Sequence, residues 1–221
     1  MKLFVFDMAG TTVFDKNHVG NALLSALKSY GFDFSIAEIN KVMGFEKPVA
    51  IKVLLDSQNI EYSEETVNQI HEAFVADMIT YYQTSEEVKP TENVMETFEY
   101  LRGKGIKVGF DTGFSRPIAN AIFERLGWIQ ATHYDFSITS DEVEHGRPYP
   151  DMIYKAMQLF NITDSEEVAK VGDTISDLEQ GFNASCGLVI GVTTGAYKRE
   201  ELATSAHNHI IDNLIEIKNI L

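Results

Sequence analysis

The sequence predicts an α/β fold, a doubly wound parallel sheet with an α-helical block inserted after its first strand. Three observations predict it. An apolar, β-prone opening from Met1 to Phe6 stops abruptly at Asp7. Helical periods with no strand pattern then fill residues 15–87. Beyond Pro90, helices and strands alternate as they do in consecutive βαβ units. Residues 1–14 and 88–221 are therefore expected to form the α/β core, and 15–87 a helical domain set into it. A length of 221 residues suits one medium domain with a smaller partner.

Each element has its own signal. In the inserted block, Leu23, Leu24 and Leu27 recur at helical spacing, as do Val49, Val53 and Leu54. Val67, Ile70, Phe74 and Met78 predict a long helix over about 63–83, with Ser63 as its N-cap. Val94, Phe98 and Leu101 stripe a helix that ends at Gly103-Lys104-Gly105, and residues 106–110 follow as a strand. Residues 115–126 read as helix and 134–139 as a weaker strand. A helix over 150–160 starts with Pro150 in a tolerated first-turn position. Residues 168–171 form a strand running into Gly172-Asp173, 176–184 a helix, and 188–192 a strand. A short strand and helix close the chain.

Composition narrows the function. Eighteen Lys and Arg stand against 33 Asp and Glu, a net charge of −15 that repels phosphate backbones and anionic membranes. Neither nucleic acid nor a membrane is an expected partner, and a homodimer stays open. Cys186 is the only cysteine, which excludes an internal disulfide framework and a thiolate zinc cluster and suits a reducing compartment. No apolar run approaches the ~18 residues of a membrane span, and the opening segment is too short for a signal peptide. A soluble, cytoplasmic protein is expected.

Ligands of an open parallel sheet bind beyond the carboxyl ends of its strands. Four polar groups fall there: Asp7, Thr112-Gly113, Gly146-Arg147-Pro148 and Gly172-Asp173-Thr174. A single strand-end Asp caps the following helix about as often as it does chemistry. Four groups converging on one crevice favour chemistry. Asp7 and Asp173 offer hard oxygen ligands to Mg²⁺, and Asp177 lies close enough in sequence to orient a metal-bound water.

These motifs resemble the haloacid dehalogenase superfamily. Asp7-x-Ala9-Gly10-Thr11, Thr112 and Gly172-Asp173-x-x-x-Asp177 are similar to its signature motifs, and the helical block to its mobile cap. The resemblance implies an enzyme in which Asp7 attacks phosphorus to form an aspartyl-phosphate. The Ala9 carbonyl would join Asp7, Asp173 and Asp177 around Mg²⁺. Thr112 and Gly113 would hold phosphoryl oxygens, and Arg147 would neutralise the transferring group.

The chain departs from the superfamily's phosphatases at Ala9, where they carry a second Asp that protonates the leaving alcohol. A methyl group carries no proton, and the loss is worth roughly 10²–10⁴-fold in ester hydrolysis. Asp-x-Ala-Gly-Thr resembles the phosphonatase group instead. So do Gly146-Arg147-Pro148-Tyr149-Pro150, Thr112-Gly113-Phe114-Ser115-Arg116 and Val171-Gly172-Asp173-Thr174-Ile175-Ser176-Asp177. Met43-Gly44-Phe45-Glu46-Lys47 is similar to the loop bearing that group's Schiff-base lysine.

An iminium on Lys47 would accept the electron pair released by a breaking carbon–phosphorus bond. Lys47 must then be neutral, far below its unperturbed pKa of about 10.4. Pro48 suggests that Lys47 caps a helix, whose positive end would push in that direction. Away from the resemblance, Lys47 reads as a solvated lysine or one reaching for phosphate. The phosphonatase group has His three residues after its lysine, where this chain has Ala50, and a larger aromatic at Met8. Another proton carrier, water or Glu46, or else a different substrate, is thus expected.

The expected activity is Mg²⁺-dependent cleavage of a 2-oxoalkylphosphonate. The alternative is a phosphatase or phosphomutase of the phosphoglycolate phosphatase or β-phosphoglucomutase type, and a binding module is disfavoured by the full set of charged motif residues. Cys186 reads as structural, His207-x-His209 as a surface loop, and Trp128 as core.

Overall fold

The computed structural model describes all residues 1–221. Strand β1 (Leu3–Phe6) leads into helices α1 (His18–Ser29), α2 (Ile36–Asn40), α3 (Lys47–Ser57) and α4 (Glu64–Thr84). The chain then runs α5 (Val94–Gly103), β2 (Lys107–Thr112), α6 (Arg116–Leu126), β3 (Phe136–Thr139) and α7 (Asp151–Leu159). It ends with β4 (Val168–Gly172), α8 (Ile175–Asn183), β5 (Leu188–Val192), α9 (Arg199–Leu202) and β6 (His209–Ile211). The six strands form one parallel sheet in the order β3-β2-β1-β4-β5-β6. The α/β doubly wound prediction is correct. The closing helix expected after the last strand is present, as the 3₁₀ segment Leu214–Asn219.

The sheet is buried on both faces, which is why its strands are apolar almost throughout. Side chains alternate across it. Phe4 and Phe6 join Phe98, Phe110 and Trp128 on one face, while Leu3 and Val5 join Phe136, Ile138, Met152 and Ile153 on the other. Trp128 is a core residue, stacked on Phe110 with ring centroids 5.3 Å apart.

Helices α1 to α4 leave and rejoin the core through two adjacent segments. Phe14 N–H donates to the Lys89 carbonyl (3.0 Å), and Thr91 N–H to the Thr12 carbonyl (3.0 Å). Ser63 caps α4 as expected, its hydroxyl accepting from Thr66 N–H at 3.1 Å. The stripe read on α3 needs correction. Val49 and Val53 are exposed, and the buried face is Ala50, Ile51, Leu54 and Leu55, one position round the helix.

Register decides where the chemistry gathers. Phe6 stands opposite both Phe110 on β2 and Val171 on β4. The next residues, Asp7, Asp111 and Gly172, therefore reach the same level at the carboxyl edge. The chain leaves β1 toward β2 and β3 on one side, then returns to β4 on the other. The β1–β4 boundary is thus the topological switch point, where open α/β sheets bind ligands.

Candidate active site

Asp7, Ala9, Thr112, Gly113, Arg147 and Asp173 line one small cavity of about 40 Å³ at the switch point, together with Lys47 from the helical block. Asp7 continues the β1 ladder, its N–H donating to the Val171 carbonyl at 2.9 Å. The chain then turns tightly. Thr12 Oγ1 donates to the Asp7 carbonyl (2.8 Å), and Gly10 takes φ +92°, where an added Cβ would lie 2.5 Å from Asp173 Oδ2. Only glycine meets both demands.

Asp173 is fixed from two sides: Thr11 Oγ1 donates to Oδ1 (2.9 Å) and Ala196 N–H to Oδ2 (2.7 Å). Thr174 opens α8 with a capping box. Its hydroxyl donates to Asp177 Oδ2 at 2.6 Å, while Asp177 N–H donates back to it at 3.2 Å. One carboxylate oxygen from each of Asp7, Asp173 and Asp177 lies within 4.8 Å of the others, and all three residues are buried.

Two buried cations face these acids. One Arg147 nitrogen lies 2.7 Å from Asp7 Oδ1 and 3.0 Å from Asp177 Oδ1. The other donates to the Asp111 carbonyl (2.7 Å) and Oδ1 (2.6 Å). Lys170, wholly buried, contacts Asp111 Oδ1 and lies 3.0 Å from Asp177 Oδ1. Asp111 and Lys170 were not singled out from sequence. Lys170 carried a signal, a charged residue inside an otherwise apolar strand, because such a group is rarely buried unpaired, whereas Asp111 fell just past the expected end of its strand.

Electrostatics follow from burial and this charge arrangement. Burial pushes Asp7 up to about 6, against the pull of Arg147. Burial, with Asp7 and Asp177 beside it, raises Asp173 well above the carboxylate range. Burial also pulls Asp111 upward, but Arg147 and Lys170 outweigh it and hold Asp111 below its ordinary value. Four buried carboxylates, Asp7, Asp111, Asp173 and Asp177, thus stand beside three buried cations, Arg147, Lys170 and, in the same cavity, Lys47. Asp173, raised by burial and by the Asp7 and Asp177 charges, has no cationic side chain of its own, and a divalent cation between Asp7 and Asp173 would relieve that repulsion. The hard oxygen donors suit Mg²⁺. Both Asp177 oxygens are already engaged, one by Arg147 and Lys170 and the other by Thr174. That placement fits orienting a metal-bound water better than direct ligation.

Lys47 is only 4% exposed. Its Nζ donates to the Phe45 carbonyl (3.2 Å) and sits 5.6 Å and 5.8 Å from the Phe74 and Phe114 ring centroids. Burial, then the neighbouring Arg147 charge, brings its pKa down to about 8. The helix reading is corrected by one residue. Glu46 is the N-cap of α3 and Lys47 its first helical residue. Glu46 is not in the cavity; it lines a separate groove with His145, Gly146 and Tyr149. Asp15 and Asn17, which the sequence did not single out, do line the cavity.

The lysine loop is seated by two glycines. A Cβ on Gly113 would lie 2.9 Å from the Phe45 carbonyl oxygen. One on Gly44, at φ +87°, would lie 2.4 Å from Thr174 Oγ1. Cys186 lies away from this cavity, and burial lifts its thiol to about 12, which suits the structural reading. His209 is exposed on β6, and the His207 ring bonds the Ser205 carbonyl (2.7 Å).

A family model described as haloacid dehalogenase-like hydrolase matches residues 1–184. The chain is a haloacid dehalogenase-like hydrolase. Among its relatives, a bifunctional phosphonoacetaldehyde hydrolase/aminoethylphosphonate transaminase of Clostridioides difficile is 34% identical over 83% of this hydrolase. The match spans 30% of that longer protein. A phosphonoacetaldehyde hydrolase of Bacillus mycoides is 30% identical, covering 90% of this chain and 79% of that one. The fold is shared with a hydrolase from Pseudomonas syringae (TM-score 0.89, 18% identity, 99% and 97% of the two chains). It is shared too with a phosphonoacetaldehyde hydrolase-like protein from Oleispira antarctica (TM-score 0.87, 21% identity, 99% and 90%). The hydrolase is an enzyme similar to phosphonoacetaldehyde hydrolases, and no helix in it is long and apolar enough to cross a membrane.

Proposed function

We propose that this hydrolase cleaves the carbon–phosphorus bond of a small 2-oxoalkylphosphonate, phosphonoacetaldehyde or an analogue, with Asp7 as nucleophile and Lys47 as imine-forming amine. The observation that carries this reading is a buried lysine with a pKa near 8 in the same 40 Å³ cavity as Asp7. Ala9, standing where an ester hydrolase needs an acid, supports it, as do the names of the relatives.

Near pH 8 about half of Lys47 is neutral and able to attack a carbonyl. Loss of water leaves an iminium two bonds from phosphorus. Asp7 then attacks phosphorus, the carbon–phosphorus pair moves into the iminium, and an enamine departs from an aspartyl-phosphate. Water releases phosphate from Asp7, and protonation and hydrolysis of the enamine free the carbonyl product and Lys47. Mg²⁺, held by Asp7, Asp173 and the Ala9 carbonyl with Asp177 behind, would offset repulsion between the carboxylate and the phosphonate anion. Arg147, anchored by Asp111, places its guanidinium against the Asp7 carboxylate, where charge transfers. Thr112 Oγ1 accepts from Phe114 N–H (3.2 Å), which leaves its own proton for a phosphoryl oxygen. Residues 15–87 serve as the cap that brings Lys47 onto the core and closes the site, in a cytoplasmic enzyme.

Borohydride reduction in the presence of phosphonoacetaldehyde tests this reading, with peptide mapping by mass. A reduced adduct on Lys47 is expected. No adduct, together with rapid turnover of small phosphate esters, overturns it in favour of a phosphatase or phosphomutase.

A further inference from the structure

Imine chemistry needs a proton carrier beside the amine. The carbinolamine oxygen must leave as water, and the returning water must lose a proton when the iminium is hydrolysed. Ala50, three residues beyond Lys47, is fully buried and has no proton to offer. Glu46 faces the other groove. His71 on α4 is near enough for the Lys47 charge to lower its pKa, but it lines no part of the cavity.

The ionisable side chains that do line it are Asp7, Asp15, Lys47, Arg147 and Asp173. Asp7 is engaged by Arg147, and Asp173 by Thr11 and Ala196. Asp15 alone stands outside the phosphoryl and metal groups. Its position is defined, because Oδ1 accepts the His18 N–H at 2.7 Å where α1 begins. It is half-buried, so it can exchange protons with solvent. The ionisable groups around it are Lys47 from α3, His18 from α1, and Tyr81 and Tyr82 from α4. Burial lifts its pKa, against the His18 amide and the His18 and Lys47 charges.

We propose that Asp15 is the acid–base partner of Lys47. Its carboxyl gives a proton to the carbinolamine oxygen as the C–O bond breaks. Water leaves, and the nitrogen lone pair forms the C=N bond. After phosphoryl transfer, a proton from solvent water adds to the enamine carbon and regenerates the iminium. The Asp15 carboxylate then takes a proton from the water that adds to it, which restores the acid. The proposal rests on the Lys47 imine.

The test follows Lys47 adduct formation over time in the full chain, with phosphonoacetaldehyde and cyanoborohydride. Asp15→Asn keeps the oxygen that accepts His18 N–H but cannot donate a carboxyl proton. It is expected to form the adduct roughly 10²–10⁴-fold more slowly. An adduct at the wild-type rate overturns Asp15 while leaving Lys47 in place, whereas no adduct in the wild type overturns the imine and Asp15 with it. Asp15→Ser, which retains an oxygen for the helix start, guards against misfolding of the first variant. Added formate should restore its rate, as a structural role would not allow. A folded Asp15→Ser protein without formate rescue overturns the proposal.

Discussion

In the proposed reaction Ala9 and Lys47 set the chemistry between them, one by lacking a proton and the other by losing one. Restoring a carboxyl with Ala9→Asp is expected to raise hydrolysis of small phosphate esters by up to about 10²–10⁴-fold. Steady-state assays on a panel of esters would show it, and an unchanged rate would count against the role assigned to position 9. Lys47→Arg keeps a positive charge but cannot form an imine, so phosphonoacetaldehyde cleavage should fall to background while the melting temperature holds. The pH profile follows from the lowered pKa of about 8. Neutral amine accumulates as pH rises, so where attack of the amine on the carbonyl limits kcat/KM, it should climb through pH 8 and then level off. The same shift affects stability. Between about 8 and the unfolded value the unfolded chain holds more protons, so this group adds stability as pH rises through that window. Below it the full cost of burying the ammonium remains.

Among the elements, the Gly44–Lys47 segment and the ends of β2 and β4 fit only because Gly44 and Gly113 lack side chains. Gly113→Ala should push the Phe45 carbonyl away and displace Lys47. The expected result is a larger loss in kcat than in thermal stability, read by paired kinetics and calorimetry. Thr174→Ala removes the cap of α8 and one partner of Asp177. A loss of about 0.5–2 kcal/mol is expected in denaturant titration. Element order was legible in sequence because periodicity, Pro and Gly report on local structure. Strand ends were less so: β2 runs on through Asp111 and Thr112, beyond the predicted stop at Phe110, because pairing with β3 extends it. Val49 and Val53 misled for a related reason. Their spacing is helical, but which stripe faces inward is set by what packs against α3.

For the whole molecule, the net charge of −15 and an anionic substrate stand in tension until the buried charges are counted. The site does not reverse sign by protein groups alone, since Arg147, Lys170 and Lys47 do not outnumber Asp7, Asp111, Asp173 and Asp177. Mg²⁺ should therefore stabilise the fold as well as support turnover. At a hundred times its Kd, a ligand specific to the native state adds about 2.7 kcal/mol. For a chain of this size that is a rise of roughly 5–11 °C in melting temperature. Chelator should remove both the rise and the activity, and Asp173→Asn should abolish the rise; a metal-independent melt in the wild type would contradict the charge count.

The sequence by itself determined the order of elements, the parallel sheet, and Asp7, Thr112, Arg147, Asp173 and Lys47 as the residues to watch. Motif spacing and hydrophobic period are local properties, written along the chain. Only the tertiary structure decided the charge network around Asp111 and Lys170, the companionship of Asp15 with Lys47, and the seating of the lysine loop on Gly113. These depend on strand register and on how α1 and α3 meet the sheet. They join residues 32 to 68 positions apart in sequence, such as Asp15 with Lys47, Arg147 with Asp111 and Gly113 with Phe45. No spacing rule reaches across such separations, and burial is what gives the contacts their energetic weight.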